Sequence, residues 1–169
     1  MTRQKKLVIT AHCVLNQNAV VREWERAPGA FNQLVKVLLD ENVGILQLPC
    51  PEMAYLGEER PPKTKEEYDT PAYRVLCQQL PAPLLKQLED YDQQGYQIIG
   101  LLGISQSPSC DTLGDKGIFM EELMHQLEKK NIKLKCFDVP ESYLEGEDVE
   151  TESRLKAFLR DTRIERNEF

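Results

Sequence analysis

The sequence contains no Cys-x-x-Cys pair. Zinc ribbons and thioredoxin-like redox sites therefore have little support. It has no surplus of positive charge either: 21 Lys and Arg stand against 28 Asp and Glu, a formal net charge of −7. A nonspecific nucleic-acid binder needs a basic face to displace phosphate counterions, so duplex nucleic acid is not an expected partner. A small anionic ligand held by a few local Arg or Lys stays open. No apolar run approaches the length that spans a membrane. Leu7 to Ile9, behind the polar and basic Met1 to Lys6, is too short for a signal-peptide core. A soluble, cytoplasmic protein without membrane partners is expected. Internal repeats and low-complexity segments are absent.

What is present suits one domain covering residues 1–169. That length can bury enough apolar surface to fold without disulfides or a structural metal. Four strand-like runs stand out: Lys6 to Thr10, Val43 to Leu48, Gln97 to Gly103 and Lys133 to Val139. The first three are nearly continuous apolar runs, the signature of strands covered on both faces. Between them lie helical stripes at Phe31, Leu34, Val35 and Leu38, at Leu84, Leu88 and Tyr91, at Met120, Leu123, Met124 and Leu127, and at Leu155, Phe158 and Leu159. Thr70 and Pro71 read as the N-cap and first residue of a further helix reaching about Leu80. Strands alternating with helices predict an α/β fold: one Rossmann-like domain of about four mainly parallel strands, with helices on both faces. Strand order and oligomeric state stay open. Pro51 to Asp69 shows no helical stripe and reads as a long loop, a feature that is usually functional.

Three of the five cysteines follow a strand. Cys13 ends LVITAHC, Cys50 ends GILQLPC and Cys110 ends IIGLLGISQSPSC. In open parallel sheets ligands bind beyond the carboxyl ends of the strands, so the three thiols converge on one edge. Cys77, within a helix, and Cys136, within the fourth strand, read as small buried hydrophobes. In a cytosolic chain thiols stay reduced, which favours catalysis or metal binding over disulfides. Three thiolates suit a soft metal centre with one open position. A zinc site that adds His12 is disfavoured, because adjacent residues of an extended segment point apart. Ser107, Ser109, Gly114 and Gly117 surround Cys110, and the amides of such a loop suit cluster sulfides or an anion. Glu52, two residues after Cys50, is placed for a general base and equally for a solvated charge or a helix cap.

AHCVLNQN, QLPCPE and SPSC, in this order, resemble the motifs of the DUF523 family, which includes the thiouracil desulfidases. YLGEER, YDTPAYR and GYQIIGLLGISQSPSC extend the resemblance across about Leu7 to Leu127. It implies a [4Fe–4S] cluster held by Cys13, Cys50 and Cys110, with one iron lacking a protein ligand. It implies a desulfidase that cleaves a carbon–sulfur bond of a small thiolated substrate, with Glu52 and Ser107 as catalytic partners. The chain departs from the family pattern after Cys13, where it reads Val-Leu-Asn, and after Cys110, where Asp111 replaces a glycine. A non-catalytic iron–sulfur protein for electron transfer or sulfur handling, and a zinc-binding or metal-free scaffold, remain as alternatives.

Several further residues have a site reading beside an ordinary one. Arg60, Lys63 and Lys65 are candidates for an anionic group, or solvated charges. Tyr68, Asp69 and Arg74 are candidates to close over the site. Asn16 and Asn18 suit hydrogen bonds to the cluster or substrate, or an ordinary loop. Trp24, the single tryptophan, either covers the site or anchors its loop. His125 is expected at the surface.

Overall fold

Lys6–Thr10, Gly44–Gln47, Gln97–Ile104 and Lys135–Val139 form strands β1 to β4 of the computed structural model, which describes residues 1–161. Residues 162–169 of the expected domain lie outside the described residues. All four strands pair in parallel, in the order β2-β1-β3-β4. The fold is therefore α/β and Rossmann-like, as the runs predict. The central strands β1 and β3 carry Val8, Ile9, Leu101 and Leu102, all fully buried, because helices cover both faces of the sheet.

The helices are α1 (His12–Leu15), α2 (Asn32–Asp40), α3 (Pro51–Leu56), α4 (Lys65–Tyr68), α5 (Pro71–Gln79), α6 (Ala82–Gln93), α7 (Ile118–Lys129) and α8 (Val149–Arg160). A 3₁₀ turn covers Gln17–Ala19. Right-handed crossovers place the β1–β2 helix on one face and the β2–β3 and β3–β4 helices on the other. The packing agrees: α2 meets α8, and α5 meets α7. Each stripe buries its apolar side, with Leu34 and Leu38 on α2 and Met120, Leu123 and Leu127 on α7.

Helix starts follow local chemistry. Thr70 caps α5, its side chain accepting the Tyr73 N–H at 3.2 Å. The segment from Pro51 to Asp69 is not a plain loop, for it contains α3 and α4. Helices of six and four residues turn too few times to print a stripe, so periodicity does not reveal them. Their caps do. Cys50 precedes Pro51 at the start of α3, and Thr64 with Glu67 closes a capping box on α4.

From β1 the chain crosses outward to β2, and from β3 it crosses the opposite way to β4. The carboxyl ends of the neighbouring strands β1 and β3 thus feed loops that diverge, which opens a crevice between them.

Candidate functional site

Cys13, Cys50 and Cys110 reach this crevice by three local routes. Beyond β1, the Ala11 amide still bonds Leu102 O at 2.8 Å, and α1 then begins at His12. The Cys13 carbonyl accepts Gln17 Nε2 at 2.8 Å. Beyond β2, Leu48 N–H bonds Thr10 O at 2.9 Å, and two residues later Cys50 caps α3. Its Sγ accepts the Met53 N–H at 3.4 Å. Beyond β3, the Cys110 carbonyl accepts the Ile104 N–H at 2.9 Å, and its own amide donates to Ser107 Oγ at 3.0 Å. The three cysteines line one cavity of about 340 Å³ together with Glu52 and Ser107. Val20, Val21, Trp24, Arg26, Arg60, Lys63 and Glu141 form further walls.

Burial holds the thiols in their neutral form. It pushes Cys13 up to about 12, with the charge of Cys50 adding to the effect. Cys50 rises for the same first reason, partly offset by the Met53 amide. Cys110 goes well above the ordinary thiol value through burial and through Cys13 and Cys50. Three thiols that oppose each other's ionisation are ones that a bound cation would turn into thiolates. Among the described residues, no three or more His, Cys, Asp or Glu side chains are set to hold a single metal ion. Ligands of a polynuclear cluster bind different metal atoms and do not share one coordination sphere. The all-sulfur donor set fits an iron–sulfur cluster by its chemistry.

Glu52 is 8% exposed and lies in an ion pair with the buried Arg60, 3.3 Å from Nε to Oε1. Tyr68 donates its hydroxyl to the same oxygen at 3.1 Å. Oε2 carries no hydrogen bond among the described residues, yet Thr10 Oγ1 is the buried polar side-chain atom found there without a partner. Oε2 therefore keeps contact with the cavity that Glu52 lines.

The two serines around Pro108 differ. Ser109 is fully buried and shares a 2.6 Å hydrogen bond with Tyr73. Ser107 lines the cavity, and its Oγ accepts from the amides of Ser109 and Cys110 at 3.3 and 3.0 Å. Its hydroxyl hydrogen is left to donate elsewhere.

A protein of Methanocaldococcus jannaschii described as uncharacterized, MJ0003, is 49% identical over 138 residues, covering 82% of this chain and 88% of the relative. The chain belongs to the MJ0003 family. No protein-family model matches the chain. No solved structure matches it significantly.

The remaining candidates divide. Among the basic residues, Arg60 serves Glu52 and Lys65 pairs with Glu121 at 2.7 Å, so only Lys63 of that trio faces the cavity free of a carboxylate. Asp69 and Arg74 pair with each other, and Arg74 also reaches Glu121 and Glu122, away from the cavity lining. Tyr68 lies buried against Glu52 rather than over the opening. Asn16 bonds Asn18 and His12 instead of the cavity. His12 donates Nδ1–H to Leu48 O at 3.0 Å and accepts from Asn16 at Nε2, which engages both ring nitrogens. Trp24 is a cavity wall, 60% exposed. Cys77 is fully buried, Cys136 is half-buried in β4, and His125 is exposed.

The loop amides around Cys110 are spent internally. Asp111 accepts from Gln106, Gly114 and Lys116, while Asp138 accepts from Thr112 and Leu113. They are not held ready for cluster sulfides. The Asp111 that departs from the resemblance is the residue that folds this loop. Gly117 completes it, since a Cβ there would strike the Ser109 and Cys110 backbone. Sequence reasoning missed Gln17 and Arg26. Their roles rest on long-range hydrogen bonds that leave no local pattern.

Proposed function

We propose that this protein is a desulfidase that converts a thiocarbonyl group of a small molecule to a carbonyl. The observation that carries the reading is the meeting of Cys13, Cys50 and Cys110, from three strand ends, around one cavity with Glu52 and Ser107. The cysteines would hold a [4Fe–4S] cluster, in keeping with their sulfur-only donor set. When bound, such a cluster supplies an iron without a protein ligand, a soft Lewis acid that polarises a C=S bond.

The chain's own groups divide the remaining work. Glu52 Oε2, the oxygen left free by Arg60 and Tyr68, takes a proton from water as the water attacks the thiocarbonyl carbon. The Ser107 hydroxyl donates to the substrate and orients it, held by the amides of residues 109 and 110. Val20, Val21 and Trp24 supply apolar wall that limits water around the reacting carbon. The balance is hydrolytic: thiocarbonyl and water give carbonyl and hydrogen sulfide, with no net oxidation.

Anaerobic reconstitution followed by visible absorption and EPR tests the cluster. Sulfide release from thiolated nucleobases and other thioamides tests the reaction. The expected result is sulfide formation that Glu52→Ala abolishes while the cluster spectrum persists. A loaded protein that releases no sulfide across the panel would point to a non-catalytic iron–sulfur protein. Colourless protein after reconstitution would sink the cluster reading itself.

A further inference from the structure

We propose that Arg26 is the counter-charge of the three-cysteine centre and sets the reduction potential of the cluster held there. This rests on the reading that Cys13, Cys50 and Cys110 bind an iron–sulfur cluster.

Two features of the geometry carry it. The buried Gln17 ties Arg26 to Cys13: its Nε2 donates to Cys13 O at 2.8 Å and its Oε1 accepts the Arg26 N–H at 2.9 Å. Both residues line the cavity. The guanidinium is then held by uncharged groups. Nη1 donates to the carbonyls of Pro140, Glu141 and Tyr143, and the group lies over Phe31, 5.3 Å from the ring centroid.

No carboxylate of the described residues forms an ion pair with it. Other arginines of the chain differ: Arg22 pairs with Glu58, Arg60 with Glu52 and Arg74 with Asp69. Arg26 is thus a fixed, half-buried positive charge at the cavity of a chain whose formal net charge is −7. Arg26, Cys13, Cys50 and Cys110 all line the same cavity, so the charge and the three sulfur ligands share one enclosed space. The exposed Glu141 attracts Arg26 from the cavity wall and offsets part of its charge.

The electrostatic consequence has a definite sign. One-electron reduction adds a negative charge to a centre already ligated by three thiolates. A fixed cation nearby favours the more negative state and raises the potential.

The test is a dithionite titration of reconstituted wild-type, Arg26→Met, Arg26→Lys and Glu141→Gln proteins with redox mediators. Visible absorption and EPR of the reduced state are the readouts. Arg26→Met is expected to shift the oxidised-to-reduced ratio at a given potential at least tenfold, about 59 mV downward for one electron. Arg26→Lys keeps the charge and recovers most of the shift. Glu141→Gln moves the potential upward. A potential unchanged in Arg26→Met, or equally lowered in Arg26→Lys, overturns the assignment. If Arg26→Met takes up no cluster, Glu141→Gln decides: an upward shift supports the assignment and no shift overturns it. Wild-type protein that takes up no cluster overturns both this assignment and the cluster reading. A loaded wild type with immovable potential removes Arg26 alone.

Discussion

The Tyr68 hydroxyl donates to Glu52 Oε1 at 3.1 Å, the same oxygen that Arg60 Nε approaches at 3.3 Å. Both partners act on one side of the carboxylate, so they orient it and leave the other oxygen toward the cavity. Their losses are unequal. Tyr68→Phe removes a hydrogen bond to a charged acceptor, about 1.5 kcal/mol. Arg60→Met leaves a buried carboxylate without its counter-ion, about 3 kcal/mol. Urea unfolding of the metal-free protein measures both, and the reverse order would count against a buried ion pair.

The metal-free protein is expected to lose stability as pH rises above about 9. Burial holds Cys13 and Cys77 at about 12 in the folded chain, against an ordinary value of 9.0. Tyr68 and Tyr73 are also raised above 10.0, mainly by burial. In this window the unfolded chain has released protons that the folded chain keeps, so stability is intact below pH 9.0 and falls as pH climbs toward 12. Melting temperatures at about pH 8 and about pH 10.5 check the slope, which Cys13→Ser with Cys77→Ser should flatten. A flat wild-type profile would contradict the buried thiols.

Asp111→Ala is expected to destabilise the chain by about 3 kcal/mol, because three loop amides lose one charged acceptor. The same change should raise hydrogen exchange at Gln106, Gly114 and Lys116. Slow exchange retained at these amides would show that the loop does not depend on Asp111.

The thiols and the imidazole beside them should behave differently in iron analysis. Cys13→Ala, Cys50→Ala and Cys110→Ala each abolish iron retention after reconstitution. His12→Asn leaves iron per chain unchanged and costs about 1 kcal/mol, since His12 holds Leu48 O through Nδ1. Loss of iron in the His12 variant would make it a ligand. Cys77→Ala and Cys136→Ala leave iron unchanged.

Local pattern was enough for much of the fold. β1 runs from Lys6 to Thr10 as its apolar run predicts, and the stripes of α2, α6, α7 and α8 lie where the helices form. A buried strand or amphipathic helix writes its period into neighbouring residues, so it can be read without its partners. The strand-end positions of Cys13, Cys50 and Cys110 were legible for the same reason, and a parallel sheet then delivers them to one edge. Short helices such as α3 and α4 escaped because they end before a period can repeat.

Tertiary structure decided the rest. That Ser107 and not Ser109 faces the cavity depends on Tyr73, 36 residues away, which takes Ser109 into the core. That Arg60 serves Glu52 while Lys63 stays free depends on how the chain after α3 folds back. Arg26 shows the limit most plainly: its guanidinium is held by a carbonyl 114 residues later in the chain. Sequence by itself determined the four strands, the longer helices and which strand ends carry thiols, because those are properties of neighbours. Only the tertiary structure decided which polar groups are spent on one another and which are left to face the cavity, because that is set by segments far apart in the chain.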